Sequence, residues 1–278
     1  MTAIENEMII RGLPARDYHA RQEVSSTHVR NLLQCPQLAL YRQANPIQSK
    51  ALAFGEAFHT AMLEPIRFKK KYKPAPIGDK RTTKVREAWD DLKKKHPNAT
   101  ILKTDEFDDL KGMRDSVMNH RQGGKFLRAG GDIEVTLLGH HKYTETDLRC
   151  RCDILLDDMI VDLKSTVDAS PGGFARSVSR YGYHIQAAFY QMIVEQVTGK
   201  LLPFRFIVVE KKAPYLVGVY DLDERYMERG RSKVYDAMLV HKFTRICEKD
   251  NNGYGEFVQK IHLPAWASEV EDDNDDDE

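Results

Sequence analysis

No run of apolar residues in this 278-residue chain approaches the roughly 20 needed to cross a bilayer. Residues 1–11 lack the basic start, long apolar centre and small-residue cleavage site of a signal peptide, so cytoplasmic residence is the expectation. Cysteine is scarce. Cys35, Cys150, Cys152 and Cys247 are too few and too scattered for a disulfide framework, and no C-x-x-C pair completes a zinc signature. No segment repeats. Net charge is missing as well, since 42 basic residues balance 42 acidic ones, but the balance conceals an uneven distribution. Eight of the acids lie within residues 269–278, which hold no base. The rest of the chain carries 42 basic against 34 acidic residues, and that excess favours a polyanionic partner.

What is present suits a globular protein with ample core: 41% hydrophobic and 30% charged residues, enough for one large domain. Residues 1–24 carry few signals beyond Pro14 and read as a loosely held arm. Ser25-Ser26-Thr27 offers N-caps for a helix through Leu33, and a second helical run covers Gln37 to Gln43. Ala51 to Glu64 predicts a buried helix stopped by Pro65. Residues 66–86 hold nine bases and read as a loop, followed by a helix over about Thr83–Lys95 and another from Thr104 to about His120. Gln122-Gly123-Gly124 and Gly130-Gly131 bracket a short connector. The period then switches to that of strands, over Ile133–Leu138, His141–Thr144, Leu148–Leu156 and Met159–Leu163. A turn at Pro171-Gly172-Gly173, a helix over about Tyr183–Val197, strands Phe204–Glu210 and Tyr215–Tyr220, and a long helix over roughly Glu224–Cys247 complete the pattern. Residues 248–268 are irregular. The sum is an α/β protein, a mixed sheet flanked by helices, with one domain over 25–268 and a disordered acidic tail over 269–278.

The chemistry concentrates in residues 151–164. Two short apolar strands joined at Asp157-Asp158 place Asp153 beside Asp162, and strand alternation projects Asp162 and Lys164 to one side with Leu163 opposite. Two carboxylates and an ammonium on one surface suit a divalent metal that prefers hard oxygen ligands, magnesium or manganese. Phosphodiester hydrolysis needs such a set: a metal to activate water and a cation near the scissile phosphate. Taken alone, an Asp-x-Lys hairpin is more often a surface ion pair.

Its company changes the reading. Gly55-x-x-x-His59 on a helix, Asp153, Asp162-x-Lys164, and Gln186-x-x-x-Tyr190 on the helix after the strands stand in order, with Gln186 and Tyr190 on one helix face. This pattern, with Ser25-Ser26-Thr27-His28-Val29-Arg30 and Ala53–His59, resembles the PD-(D/E)xK nuclease superfamily, within it the RecB-like group and most nearly the RecE-type (exonuclease VIII) phage recombination exonucleases. The resemblance covers roughly residues 18–245. Cys152 stands where the superfamily's name has proline. It implies an αββαβ restriction-endonuclease-like core and magnesium-dependent hydrolysis, with manganese able to substitute. By the same resemblance Asp153, Asp162 and the Leu163 carbonyl would hold metal, His59 would bind or abut it, and Glu134 would serve a second ion. Lys164 would orient or help deprotonate the attacking water, while Gln186 and Tyr190 would hold the DNA strand or Lys164. The bland rivals are a core histidine for His59, a solvent-facing strand residue for Glu134 and a packed ring for Tyr190.

With a nuclease centre implied, the basic residues Lys69, Lys70, Lys71, Lys73 and Arg81 become candidate phosphate contacts. Ser165, Thr166, Arg176 and Arg180 join them, and Phe68 and Tyr72 could stack on a DNA end. The acidic stretch would compete with DNA for the basic groove. The implied activity is 5′ to 3′ degradation of double-stranded DNA ends, leaving 3′ single strands for an annealing protein in phage-type recombination, by a ring-shaped homo-oligomer in a bacterial host cell. Alternatives are a structure-specific endonuclease, a CRISPR-associated nuclease, or a non-catalytic DNA-end-binding module. The CRISPR-associated relatives carry an iron–sulfur cluster on four cysteines, three near the C-terminus, where this chain has only Cys247.

Overall fold

The computed structural model describes residues 8–247, 253–254 and 257–263. In chain order the first half comprises β1 (Ile9–Ile10), α1 (Ala15–Ala20), α2 (Ser26–Gln34), α3 (Pro36–Ala44), α4 (Lys50–Leu63), α5 (Pro65–Lys71), β2 (Tyr72–Pro74), α6 (Thr83–Lys95), β3 (Thr100–Leu102), α7 (Thr104–Asn119) and α8 (Arg121–Leu127). The second half comprises β4 (Asp132–His141), β5 (Thr146–Leu155), β6 (Ile160–Thr166), α9 (Pro171–Tyr181), α10 (Tyr183–Thr198), β7 (Phe204–Glu210), β8 (Val217–Asp221) and α11 (Glu224–Cys247). Six strands form one mixed sheet in the order β1-β4-β5-β6-β7-β8, in which β6 and β7 run parallel and the other neighbours antiparallel. β6 is followed by α9 and α10 before the chain returns as β7, the helical crossover that a parallel pair requires.

The central strands are apolar on both faces because helices cover both. Along β7, Phe204, Phe206 and Val208 enter one cluster with Phe174, Phe189, Ile193 and Met238 from α9, α10 and α11. Ile207 and Val209 enter the other, with Phe58, Met62, Leu110 and Met113 from α4 and α7. β6 divides the same way, Ile160 to the first cluster and Val161 and Leu163 to the second. This two-residue alternation turns Asp162 and Lys164 away from the α4–α7 side.

Four expectations change. Residues 8–24 are held to the body: β1 pairs with β4, Val24 bridges to Leu148, and Tyr18 is buried between the guanidinium groups of Arg149 and Arg151. The two strands expected over 133–144 are one ten-residue strand, β4. The basic segment is partly ordered secondary structure, since Pro65 opens α5 and the chain then enters β2. Its aromatic residues fix it: Phe68 stacks on Phe107 at 5.3 Å and lies 5.2 Å from Tyr72, both buried, so neither presents a face to a DNA end. Gly123-Gly124 and Gly172-Gly173 lie inside helices rather than in turns, whereas Gly130-Gly131 falls in the connector before β4. Ser170 caps α9 by accepting from the Gly173 amide at 3.1 Å, with Pro171 in the first turn.

Candidate active site

β5 and β6 pair through Leu155↔Ile160 and Ile154↔Val161 and then part. At the fork the Leu163 amide, with no ladder partner on β5, donates instead to Asp153 Oδ2 at 2.7 Å. The parting of the strands thus explains why a buried aspartate stands in an apolar strand: it satisfies a backbone donor that the sheet leaves open. On its other oxygen, Oδ1, Asp153 meets His59 Nδ1 at 3.2 Å, supplied by α4. β4 brings Glu134, whose φ of +49° is a left-handed conformation rare for a residue with a side chain. Such backbone strain costs about 1–3 kcal/mol and concentrates at functional sites. Arg151 Nε lies 3.2 Å from both the Glu134 carboxylate and its carbonyl, and steadies that turn of the chain.

His59, Glu134 and Asp153 offer ligand atoms that all lie within 4.8 Å of one another. Asp162 stands beside this group. Its Oδ1 accepts from the Gln186 amide at 2.8 Å, and its Oδ2 contacts the Lys164 ammonium without hydrogen-bond geometry. The Lys164 Nζ in turn lies 4.8 Å from the centre of the Tyr183 ring, which opens α10.

Electrostatics mark the site as unsatisfied. Burial, reinforced by Asp153, pushes Glu134 up to about 7. Burial pushes Asp162 up to about 6, against the opposing pull of Lys164. For Asp153 burial also works upward, but His59, Lys164 and the Leu163 amide outweigh it and its pKa falls below the ordinary value. Burial would lower His59 and Lys164, yet Asp153 raises the first and Asp162 the second, and both end above their ordinary values. Lys164 is therefore an ammonium at neutral pH. Three closely set carboxylates, two of them resisting ionisation, fit a divalent cation, with Asp162 Oδ2 held against the ammonium outside hydrogen-bond geometry. Oxygen donors suit magnesium and manganese, and the His59 nitrogen tilts the set toward manganese.

The structure therefore brings together His59, Glu134, Asp153, Asp162, Leu163, Lys164 and Gln186. Tyr190 is elsewhere. One turn beyond Gln186, α10 has entered the core, and the ring lies 7% exposed against Phe189 and Phe204. Among the remaining candidates, Lys71 pairs with Glu56 at 2.5 Å, Lys73 donates to the Lys69 carbonyl, and Lys70 and Arg81 are exposed. Arg176 pairs with Asp168 at 3.1 Å. Ser165 lies in the last part of β6, and Thr166 ends the strand with its hydroxyl donating to the Asp168 carbonyl, so Thr166 shapes the turn after Lys164. Arg180 is exposed over Tyr181. Sequence reasoning missed two participants, Tyr183 and Arg151. Tyr183 had a readable signal, an aromatic three residues before Gln186 on the same helix face; Arg151 alternates with Cys150 and Cys152 and had none. Cys35, Cys150 and Cys152 are buried free thiols.

Comparison with known proteins agrees with this geometry. A crystal structure of a proposed exonuclease from Eubacterium rectale superposes with a TM-score of 0.60 at 18% identity, over 93% of this chain and 98% of that one, which establishes the shared fold. No curated protein matches the chain. Residues 25–252 match the family described as a PDDEXK-like domain of unknown function (DUF3799), a span that includes every residue of the cluster. The chain belongs to that PDDEXK-like family.

Proposed function

We propose that the protein is a magnesium-dependent exonuclease acting on double-stranded DNA ends. The observation that carries the reading is the fork between β5 and β6, where the His59–Glu134–Asp153 group stands beside the Asp162–Lys164 pair. His59, Glu134, Asp153 and Asp162 would hold the cation, which when bound activates water and neutralises charge on the phosphate. Lys164, held charged by Asp162 and Asp153, binds and orients an oxygen of the water or phosphate and does not take its proton. Gln186 fixes the Asp162 carboxylate by occupying Oδ1, which leaves Oδ2 against the Lys164 ammonium. The name of the Eubacterium rectale relative and the RecE-like motif order support exonuclease action. That motif order also supports 5′ to 3′ polarity, 3′ strands handed to an annealing protein in phage-type recombination, and a homo-oligomeric ring.

A linear duplex labelled separately at its 5′ and 3′ ends tests this. Magnesium-dependent release of the 5′ label as mononucleotides is expected. Internal cuts, or binding without cleavage under magnesium and manganese alike, would remove the exonuclease reading.

Gln186→Ala is expected to lower the cleavage rate about 10–100-fold, the usual cost of losing a group that holds a metal ligand. Its metal-free melting temperature should fall by a few degrees at pH 8, because the buried Asp162 Oδ1 loses its hydrogen-bond donor. Wild-type rates in this variant would show that Asp162 needs no such support.

A further inference from the structure

A second feature of the molecule is a cavity of about 920 Å³ between α2, α3, the α9–α10 junction and α11. Its walls are cationic. Arg30, Arg42, Arg180 and Arg229 line it, and none of the four has a carboxylate partner among the described residues. Glu23 is its lone acidic lining residue, and it is shared by Arg21 and Arg149. Three buried nitrogens at the wall, His28 Nε2, Arg30 Nε and Arg149 Nε, lack any hydrogen-bond partner. Arg30 donates to the Tyr181 carbonyl and the Thr27 hydroxyl, and Arg42 to the Asn31 side-chain oxygen, all neutral acceptors, so the positive charge around the hollow stays uncompensated and calls for an anionic occupant that supplies several oxygens.

The sequence contains such an occupant. Residues 269–278 carry eight carboxylates and no base. The chain also passes the cavity before reaching them: the Gly253 carbonyl accepts from Cys35 Sγ at 3.5 Å, at the joint between α2 and α3, whose residues Asn31, Gln34 and Arg42 line the cavity. From Gly253 to Glu269 an extended chain spans on the order of 50 Å, at about 3.3 Å per residue, so reach is no obstacle. We propose that the acidic stretch 269–278 binds in this basic cavity of its own chain. The cavity wall at Tyr181 and Gly182 adjoins Tyr183, whose ring lies beneath the Lys164 ammonium. The site is also distinct from the basic segment 66–86, which the sequence alone would have chosen.

The test uses the full chain in two forms, wild type and one with Glu269, Glu271 and Glu278 changed to Gln and Asp272, Asp273, Asp275, Asp276 and Asp277 changed to Asn. A fluorescent synthetic peptide of residues 264–278 is titrated into each and followed by anisotropy. The neutralised chain should bind it at least about 10-fold more tightly than wild type at low ionic strength, and the gap should close near 0.5 M salt as screening removes the attraction. In the neutralised chain, Arg180→Glu with Arg229→Glu should abolish binding, whereas Lys84→Glu with Arg86→Glu should leave it intact. Equal binding by both chains overturns the proposal, as does loss through the Lys84 and Arg86 pair instead. A cavity that takes a single-stranded oligonucleotide but not the peptide overturns it in favour of a nucleic-acid site. None of these readings depends on cleavage, so they stand apart from the outcome of the end-label experiment.

Discussion

Lys164→Ala and Asp162→Asn are each expected to lower cleavage of a linear duplex by about 10²–10³-fold or more, the loss typical of removing one preorganised charge or donor at a reacting phosphate or carbonyl. The two substitutions should separate cleanly in stability. Asp162 is a buried carboxylate pushed up to about 6, which means that its surroundings resist its charge even with Lys164 beside it. Asparagine keeps the Gln186 contact and removes that charge, so metal-free Asp162→Asn should melt no lower than wild type at pH 8. Lys164→Ala does the reverse. It strips the cation from between Asp162 and Asp153, and the metal-free variant should melt lower than wild type at pH 8, with the deficit shrinking toward pH 5 as Asp162 takes up a proton. Inactive variants with these opposite melting shifts would assign the loss to the site rather than to misfolding. A Lys164→Ala chain that cleaves at the wild-type rate would remove the lysine from the chemistry.

The second large effect joins pH to metal. Glu134 rises from an ordinary 4.5 to about 7 and Asp162 from 3.8 to about 6 on folding. At these two carboxyls the folded state holds more protons than the unfolded one between roughly pH 4 and 7, and their contribution to stability falls as pH rises through that window. His59 works in the same direction, because a raised imidazole pKa stabilises the fold below 6.5 and is lost as pH climbs past the folded value. Asp153, lowered on folding, contributes stability that is lost only in acid below its ordinary 3.8. Lys164 changes nothing until strongly alkaline pH. Burial lowers His19, His28, His141, His184 and His241, which add stability as pH rises toward 6.5, so the site's share is read as a difference: metal-free wild type should lose melting temperature relative to Glu134→Gln between pH 5 and pH 8. A divalent cation needs the site's groups deprotonated, so its stabilisation should be small at pH 5.5 and large at pH 8. At 100 times the dissociation constant the gain is about 2.7 kcal/mol, several degrees of melting temperature for a chain of this size. Manganese should give it at lower concentration than magnesium, because His59 contributes nitrogen. Scanning calorimetry in EDTA and with each metal across this pH range would show the same metal-induced gain at pH 5.5 and pH 8 if the carboxylates were merely surface groups.

Much of this site was legible because it obeys strand arithmetic. Alternation in β6 places Asp162 and Lys164 together and Leu163 opposite, and the structure keeps that division, with Leu163 fully buried in the α4–α7 cluster. The turn at Asp157-Asp158 fixes the register that ends at Ile154↔Val161. What alternation cannot show is where two strands stop pairing, and the Asp153–Leu163 hydrogen bond exists because they do. Helical spacing failed for Tyr190 for a related reason. Gln186 and Tyr190 share a face, but α10 descends into the core within that one turn, so the same face is polar at one end and packed at the other.

The glycine pairs misled because glycine serves packing as well as turning. A Cβ on Gly124 would meet the Met118 carbonyl at 2.3 Å, and one on Gly173 would meet the Asp168 carboxylate at 2.1 Å. At Gly124 the neighbour is backbone and leaves no room for a larger residue, and at Gly173 a larger residue would have to displace the Asp168 side chain. Arg151 gave no signal at all, since its partner is a glutamate whose unusual φ no local pattern announces.

The account stands most directly on the rate of linear-duplex cleavage measured against free magnesium after EDTA treatment, with wild type beside Asp153→Asn. It predicts no product in EDTA, saturable recovery by wild type as magnesium is restored, and no recovery by the variant. Product formed in EDTA, or equal magnesium-driven cleavage by Asp153→Asn, would contradict it.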